Sequence, residues 1–198
     1  PTFTMTTKIS TDNKLKTGRY LTFSLGNESY GIPVLNVREI IRLCPITPVP
    51  RMPTHIKGVI NLRGTVIAVL DLRAKFQLAL GDYGDRACII VVQLNGPEGT
   101  KTLMGAIVDA VEEVVQLRDD SIEPAPDFGG SPDTQYIMGV TTCTGSVKTL
   151  LDIEKIFLDD ASITRALPDG ISREAARLGT RNATASNVAE SNLLATGK

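Results

Sequence analysis

The side chains in this sequence that could carry out chemistry are few and scattered. His55 is the only histidine. It sits between Thr54 and Ile56, with no second ligand or base partner at a usable spacing, and a metal site or a general base needs one. Cys44, Cys88 and Cys143 form an odd, widely spaced set, which fits neither a disulfide framework nor a zinc site. No charge cluster stands beside them to hold a thiolate, so reduced thiols are the simplest reading. There is no Walker A pattern, no GxGxxG after a strand and no HExxH. Asp71 and Asp152 each stand where a strand runs into a short helix. A carboxylate there is expected to cap the helix rather than to react. Arg63 is different. It occupies the tip of an otherwise apolar hairpin, GVINLRGTVIAVLDLR from Gly58 to Arg73, and a guanidinium carries five donors and a permanent charge. Its chemistry is recognition.

Composition narrows the partners. The chain has 198 residues, 42% hydrophobic and 22% charged, enough for a packed core. It lacks tryptophan and has only 4 Tyr and 5 Phe, which argues against a stacking platform for nucleic acid or sugars. The net charge of −1 and pI near 5.9 give no electrostatic pull toward DNA, RNA or an anionic membrane. No apolar run reaches the about 18 residues of a membrane helix. The opening PTFTMTTKISTDNK is polar and has no apolar stretch like that of a signal peptide. The expectation is a cytoplasmic protein with no cofactor, no metal and no direct membrane insertion.

The positioning elements read as strands. Residues 1–18 are expected to be a flexible lead. RYLTFSLG alternates like a strand, turns at Gly26–Asn27 and returns as ESYGIPV. LNVREIIRL has Val34, Val37, Ile40 and Ile41 at near-helical spacing, and is expected to be a strand entering a short helix. ITPVPRMPTHIKG, with three prolines, is a loop or edge segment. After the Arg63 hairpin, LRAKFQL suits a short helix and ACIIVVQL a buried strand. TLMGAIVDAVEEVVQL returns, DDSIEPAPDFGGSPDTQ is a loop, YIMGVTTCTGSVKTLLDI is a second hairpin and EKIFLDD a second short helix. Residues 19–158 form the domain. Residues 159–198 are small and polar with scattered Leu, and are expected to be a mobile, partly helical tail.

The chain repeats itself. GIPVLNVREII matches GAIVDAVEEVV at Gly31/Gly105, Val34/Val108, Val37/Val111, Glu39/Glu113, Ile40/Val114 and Ile41/Val115. GVINLRGTVIAVLDLRAKF matches GVTTCTGSVKTLLDIEKIF at Gly58/Gly139, Gly64/Gly145, Val66/Val147, Leu70/Leu151, Asp71/Asp152 and Phe76/Phe157. Arg63 meets Thr144, so the arginine belongs to one copy only. A duplicated all-β unit with many short strands favours two small closed barrels with a groove between them.

YGIPVLNVREI, IKGVINLRGTVIAVLDLR, GAIVDAVEEVVQL, APDF and the closing LLDIEKIF together resemble the CheW-like domain family, over roughly Arg19 to Leu158. The resemblance implies a mainly β fold of two intertwined SH3-like five-stranded barrels with short helices. It implies a non-catalytic scaffold joining the cytoplasmic tips of transmembrane chemoreceptors to the regulatory domain of the histidine kinase CheA, recruited to membrane-associated arrays. The same adaptor in another CheA-like pathway, for surface motility or gene control, is the alternative. A small β-barrel enzyme using Asp71, His55 or a thiol is the reading from another class, and it lacks an acid–base constellation.

Particular residues follow. Arg63 either folds back onto Glu39, pinning that segment to the hairpin, or reaches out to a partner. If partly buried, the pair would be worth about 3–5 kcal/mol. Val37 and its counterpart Val111 either pack in the core or line the groove, where a helical hairpin could lay an apolar face. The resemblance adds Val34, Glu39 and Val108 to the receptor contacts. It places kinase contacts at the outer barrel ends, with Val49, Met52 and Gly58 in the first half and Phe128 in the second. Phe128, in a polar loop, either staples that loop inward or stands exposed as an anchor.

Overall fold

The computed structural model describes residues 17–95, 101–125, 135–143 and 145–158. Phe128, Thr144 and the expected tail lie outside them, as does nearly all of the expected lead; β1 already begins at Gly18. The strands are β1 (Gly18–Leu25), β2 (Glu28–Pro33), β3 (Val37–Arg42), β4 (Ile56–Leu62), β5 (Thr65–Asp71), β6 (Cys88–Asn95), β7 (Lys101–Val108), β8 (Ala110–Leu117), β9 (Ile137–Cys143) and β10 (Ser146–Leu151). Two short helices follow the hairpins, α1 (Leu72–Lys75) and α2 (Ile153–Leu158).

The strands form two five-stranded sheets, β8-β1-β2-β10-β9 and β3-β6-β7-β5-β4. Exchanging β1–β5 with β6–β10 turns one order into the other, so the sequence repeat is a structural two-fold. Each copy sends three of its strands to one sheet and two to the other. The chain changes sheets twice, between β2 and β3 and between β7 and β8. The first change is a one-turn 3-10 helix, Val34–Asn36; the second is the single residue Asp109.

The first change differs from expectation: the helical turn precedes the strand. Pro33, at φ −58°, leads into the bend. The β-branched run beyond it then pairs antiparallel with β6, Ile40 opposite Ile90 and Ile41 opposite Ile89. Pairing outweighs the weak helical spacing there.

Each sheet closes into a barrel through one short bridge. Thr47 and Val59 exchange both backbone hydrogen bonds at 2.9 Å. Glu123 and Val140 do the same in the other barrel, at 2.8 and 2.9 Å. Gly58 makes the first closure possible. It holds φ +140°, and a Cβ built on it would lie 2.0 Å from the Thr47 carbonyl oxygen.

The core has three parts. Tyr20, Leu117, Ile122 and Leu150 fill one barrel. Ile60, Ile67, Val69, Ile89, Val91 and Ile107 fill the other. The largest part lies between the barrels and draws on both sheets, with Phe23, Ile32, Ile90, Val92, Met104 and Leu151 among its members. Alternate residues of β6 therefore enter two different cores, which explains its continuous apolar run. Ile153, Ile156 and Phe157 of α2 join the shared core. The groove expected between the barrels is thus largely filled by the protein's own side chains, and only its rim remains open. The expected capping roles hold: Asp71 accepts from the Arg73 amide at 2.9 Å, and Asp152 from the Lys155 amide at 3.0 Å.

Candidate docking surfaces

The rim of the shared core carries the valines singled out in the sequence. Val34, Val37 and Val111 are half-buried and pack against it. Between the first two, Leu35 projects from the 3-10 turn with 95% of its surface exposed. Sequence patterning does not single out Leu35, which stands directly beside Val34. Its one signal is its counterpart in the repeat, Asp109, since an apolar residue matched to a charged one belongs to no common core. Val108 is a different case. It is completely buried, so it supports the rim from below and presents no face to a partner.

Glu39, on β3, meets Arg63 at the β4–β5 hairpin tip. The pair is bidentate, Nη1 to Oε1 at 3.1 Å and Nη2 to Oε2 at 2.8 Å. Its setting corrects the energy expected of it. The Arg63 side chain is 78% exposed and that of Glu39 22%, so solvent screening holds the pair to about 1 kcal/mol or less, even with good geometry. The backbone works against it. Arg63 takes φ 51° beside Gly64 at 90°, the two left-handed residues a tight hairpin turn demands. Glycine or asparagine would sit there more comfortably, and arginine costs about 1 kcal/mol.

The second barrel makes the equivalent link with other residues. Lys148 on β10 is buried, with Nζ 2.7 Å from Glu112 on β8 and 3.7 Å from Glu113. The Ser29 hydroxyl also donates to Glu112, at 2.7 Å. Burial pushes the Glu112 carboxyl up, but the hydrogen bonds from Lys148 and Ser29 outweigh it, and the group ends below the ordinary glutamate range.

Of the expected kinase contacts, Val49, Met52 and Gly58 lie among the described residues. Val49 is at the edge of exposure. Met52 packs against the shared core. Gly58 is buried, and it is glycine because the Thr47 backbone passes over it; this corrects its assignment as a contact. Asp71 is buried and fully engaged, with the Tyr83 hydroxyl donating at 2.6 Å and Lys57 at 3.4 Å. Burial, and then the bond to Asp71, push the Tyr83 phenol well up. Burial likewise pushes the Cys88 thiol up, away from thiolate chemistry. Among the described residues no three His, Cys, Asp or Glu side chains gather to hold a metal, and no helix is long and apolar enough to cross a membrane.

Two barrels that trade strands, share a core and turn an apolar rim and a charged hairpin tip outward define an adaptor domain. The model of the CheW-like domain matches residues 19–161, and the chain belongs to that family. It is similar to a chemotaxis protein CheW of Klebsiella aerogenes, 35% identical over 154 residues that cover 78% of this chain and 88% of the relative. It is also similar to the protein FrzA of Myxococcus xanthus, 30% identical over 139 residues, 69% of this chain and 83% of that one. Among solved structures, the scaffolding protein TtCheW from Thermoanaerobacter tengcongensis superposes with a TM-score of 0.63 at 32% identity, covering 72% of this chain and 88% of that one. The chain is a chemotaxis coupling adaptor of this family.

Proposed function

We propose that this protein holds the cytoplasmic tip of a chemoreceptor and the regulatory domain of the kinase CheA on one rigid body, in the cytoplasm, without catalysing a reaction. The observation that carries this is the shared core with its open rim. A core common to both barrels fixes their relative placement, so two partners bound to it sit at a fixed separation and raise each other's effective concentration. The receptor face is the rim at Val34, Leu35, Val37 and Val111, flanked by Glu39 and Arg63. An amphipathic helix laid in a shallow apolar rim is the mode that suits it. Val49 and Met52 at the barrel end, and Phe128, stand on the kinase side of this proposal.

The test is a reconstituted kinase assay with receptor fragments and CheA, with and without this protein. Leu35→Ser should reduce receptor-dependent kinase activity and leave the melting temperature unchanged, because Leu35 is 95% exposed and packs on nothing. Full coupling by the variant would remove Leu35 and its turn from the receptor face. Capture of the kinase by this protein from its own host shows whether that kinase is the chemotaxis CheA or one of another CheA-like pathway.

A further inference from the structure

Both sheet-changing turns are tied down by side chains from the short helices, and the two ties are equivalent under the repeat. Arg73 of α1 and Glu154 of α2 occupy matching positions of the two copies. Arg73 donates from Nε at 2.9 Å and from Nη2 to Asp109, the residue between β7 and β8. The same carboxylate oxygen takes the Gly26 amide at 2.6 Å, at the β1–β2 turn. Glu154 does the same work at the other change of sheet. Its Oε1 accepts from Asn36 at 3.2 Å, in the β2–β3 turn, and from Asn95 at 2.9 Å, at the end of β6. Each tie therefore joins a helix, a sheet-changing turn and the end of the facing strand pair.

The two ties differ in strength. Arg73 and Asp109 form an ion pair with both side chains only 15% exposed, where little water screens it. Glu154 offers one oxygen to two neutral amides, and Asn95 is exposed. A hydrogen bond between a neutral group and a charged one weakens in contact with water.

We infer that Glu154 is a positioning residue for the partner-binding rim, holding the Val34–Asn36 turn through Asn36, and that this turn is the more adjustable of the two sheet-changing turns while Asp109 is the more firmly held. The inference rests on the proposed receptor face only for its functional consequence. The positional claim stands on the two ties alone.

The experiment compares Glu154→Ala, Glu154→Gln and Arg73→Gln in the full chain by amide hydrogen exchange and by binding to a chemoreceptor cytoplasmic fragment. The Val37 amide closes the 3-10 turn onto the Val34 carbonyl, and the Asp109 amide bonds to the Ser24 carbonyl at 3.1 Å; each reports on its own turn. Glu154→Ala should speed exchange at Val37 about tenfold, the loss of one such bond, and leave Asp109 unchanged. Glu154→Gln retains an acceptor oxygen and should stay near the wild type. Arg73→Gln should speed Asp109 and leave Val37 unchanged. Receptor affinity should fall with Glu154→Ala and recover with Glu154→Gln. Unchanged Val37 exchange in Glu154→Ala, or equal acceleration at both turns, would overturn the inference. If the wild-type protein fails to bind the receptor fragment, the receptor face falls and the exchange results still decide the tie.

Discussion

Lys148, itself buried, meets Glu112 at the edge of one barrel, Nζ to Oε2 at 2.7 Å, as Arg63 and Glu39 meet on the surface of the other. Both pairs join the strand after a sheet change to the hairpin of its own barrel. The lysine side chain is 4% exposed and the glutamate 27%. Lys148→Ala removes the main partner of Glu112 and empties buried packing space, and should cost about 2–4 kcal/mol by chemical denaturation. Lys148→Met keeps the aliphatic stem and should cost less. Acid sensitivity follows from the lowered Glu112 carboxyl. A folded value below the unfolded one adds stability that is present above the unfolded value and lost as the pH falls through the folded one. Lys148→Met removes the principal partner and should flatten that acid limb; an unchanged limb would show that the pair is not its source.

Arg63 should be dispensable for folding. Its ion pair is screened and its backbone is left-handed. Arg63→Ala is expected to shift the melting temperature by no more than about 4 °C, equivalent to about 1 kcal/mol in a domain of this size. Arg63→Gly relieves the backbone and should melt at or above the wild type. Both should reduce receptor-dependent kinase activity. A large drop in melting temperature for both would instead make the pair a structural fastening.

Gly58 and Gly64 both hold positive φ, and they separate backbone strain from collision. At Gly64 a Cβ meets nothing within 4 Å, whereas at Gly58 it meets the Thr47 backbone at 2.0 Å. Gly64→Ala should cost about 1 kcal/mol. Gly58→Ala breaks the bridge that closes its barrel and should cost about 3 kcal/mol or more. Equal melting temperatures for the two variants would show that the bridge contributes nothing.

Much of this was legible in the sequence, for reasons that also set its limits. The repeat shows because glycines at turns and β-branched residues in strands answer to local backbone rules, and both copies obey the same ones. The Arg63–Glu39 pair shows only as one of two alternatives, because an arginine confined to one copy asks either for an acid of its own chain or for a partner. The exchange of strands between sheets follows from the resemblance to intertwined barrels and not from the strand pattern: β2 followed by a turn and β3 reads alike whether the second strand returns to its own sheet or joins the other. Val34 and Val108 match in the repeat yet differ in burial, because one sits at the rim and the other beneath it. The burial of Gly58, which the resemblance names as a contact, does not show, because nothing in the strand pattern places the Thr47 backbone over it. Glu154 and Asn36 are separated by 118 residues, and no periodicity joins them.

The traded strands carry a consequence for how such a chain could arise and be taken apart. A polypeptide ending after α1 would hold two strands of one barrel and three of the other and could finish neither. It could complete both only by embracing a second copy of itself, each lending the other its missing edge. The present molecule has the form of such a mutual embrace written into a single gene, and the two pieces made by cutting it between α1 and β6 should reassemble when mixed.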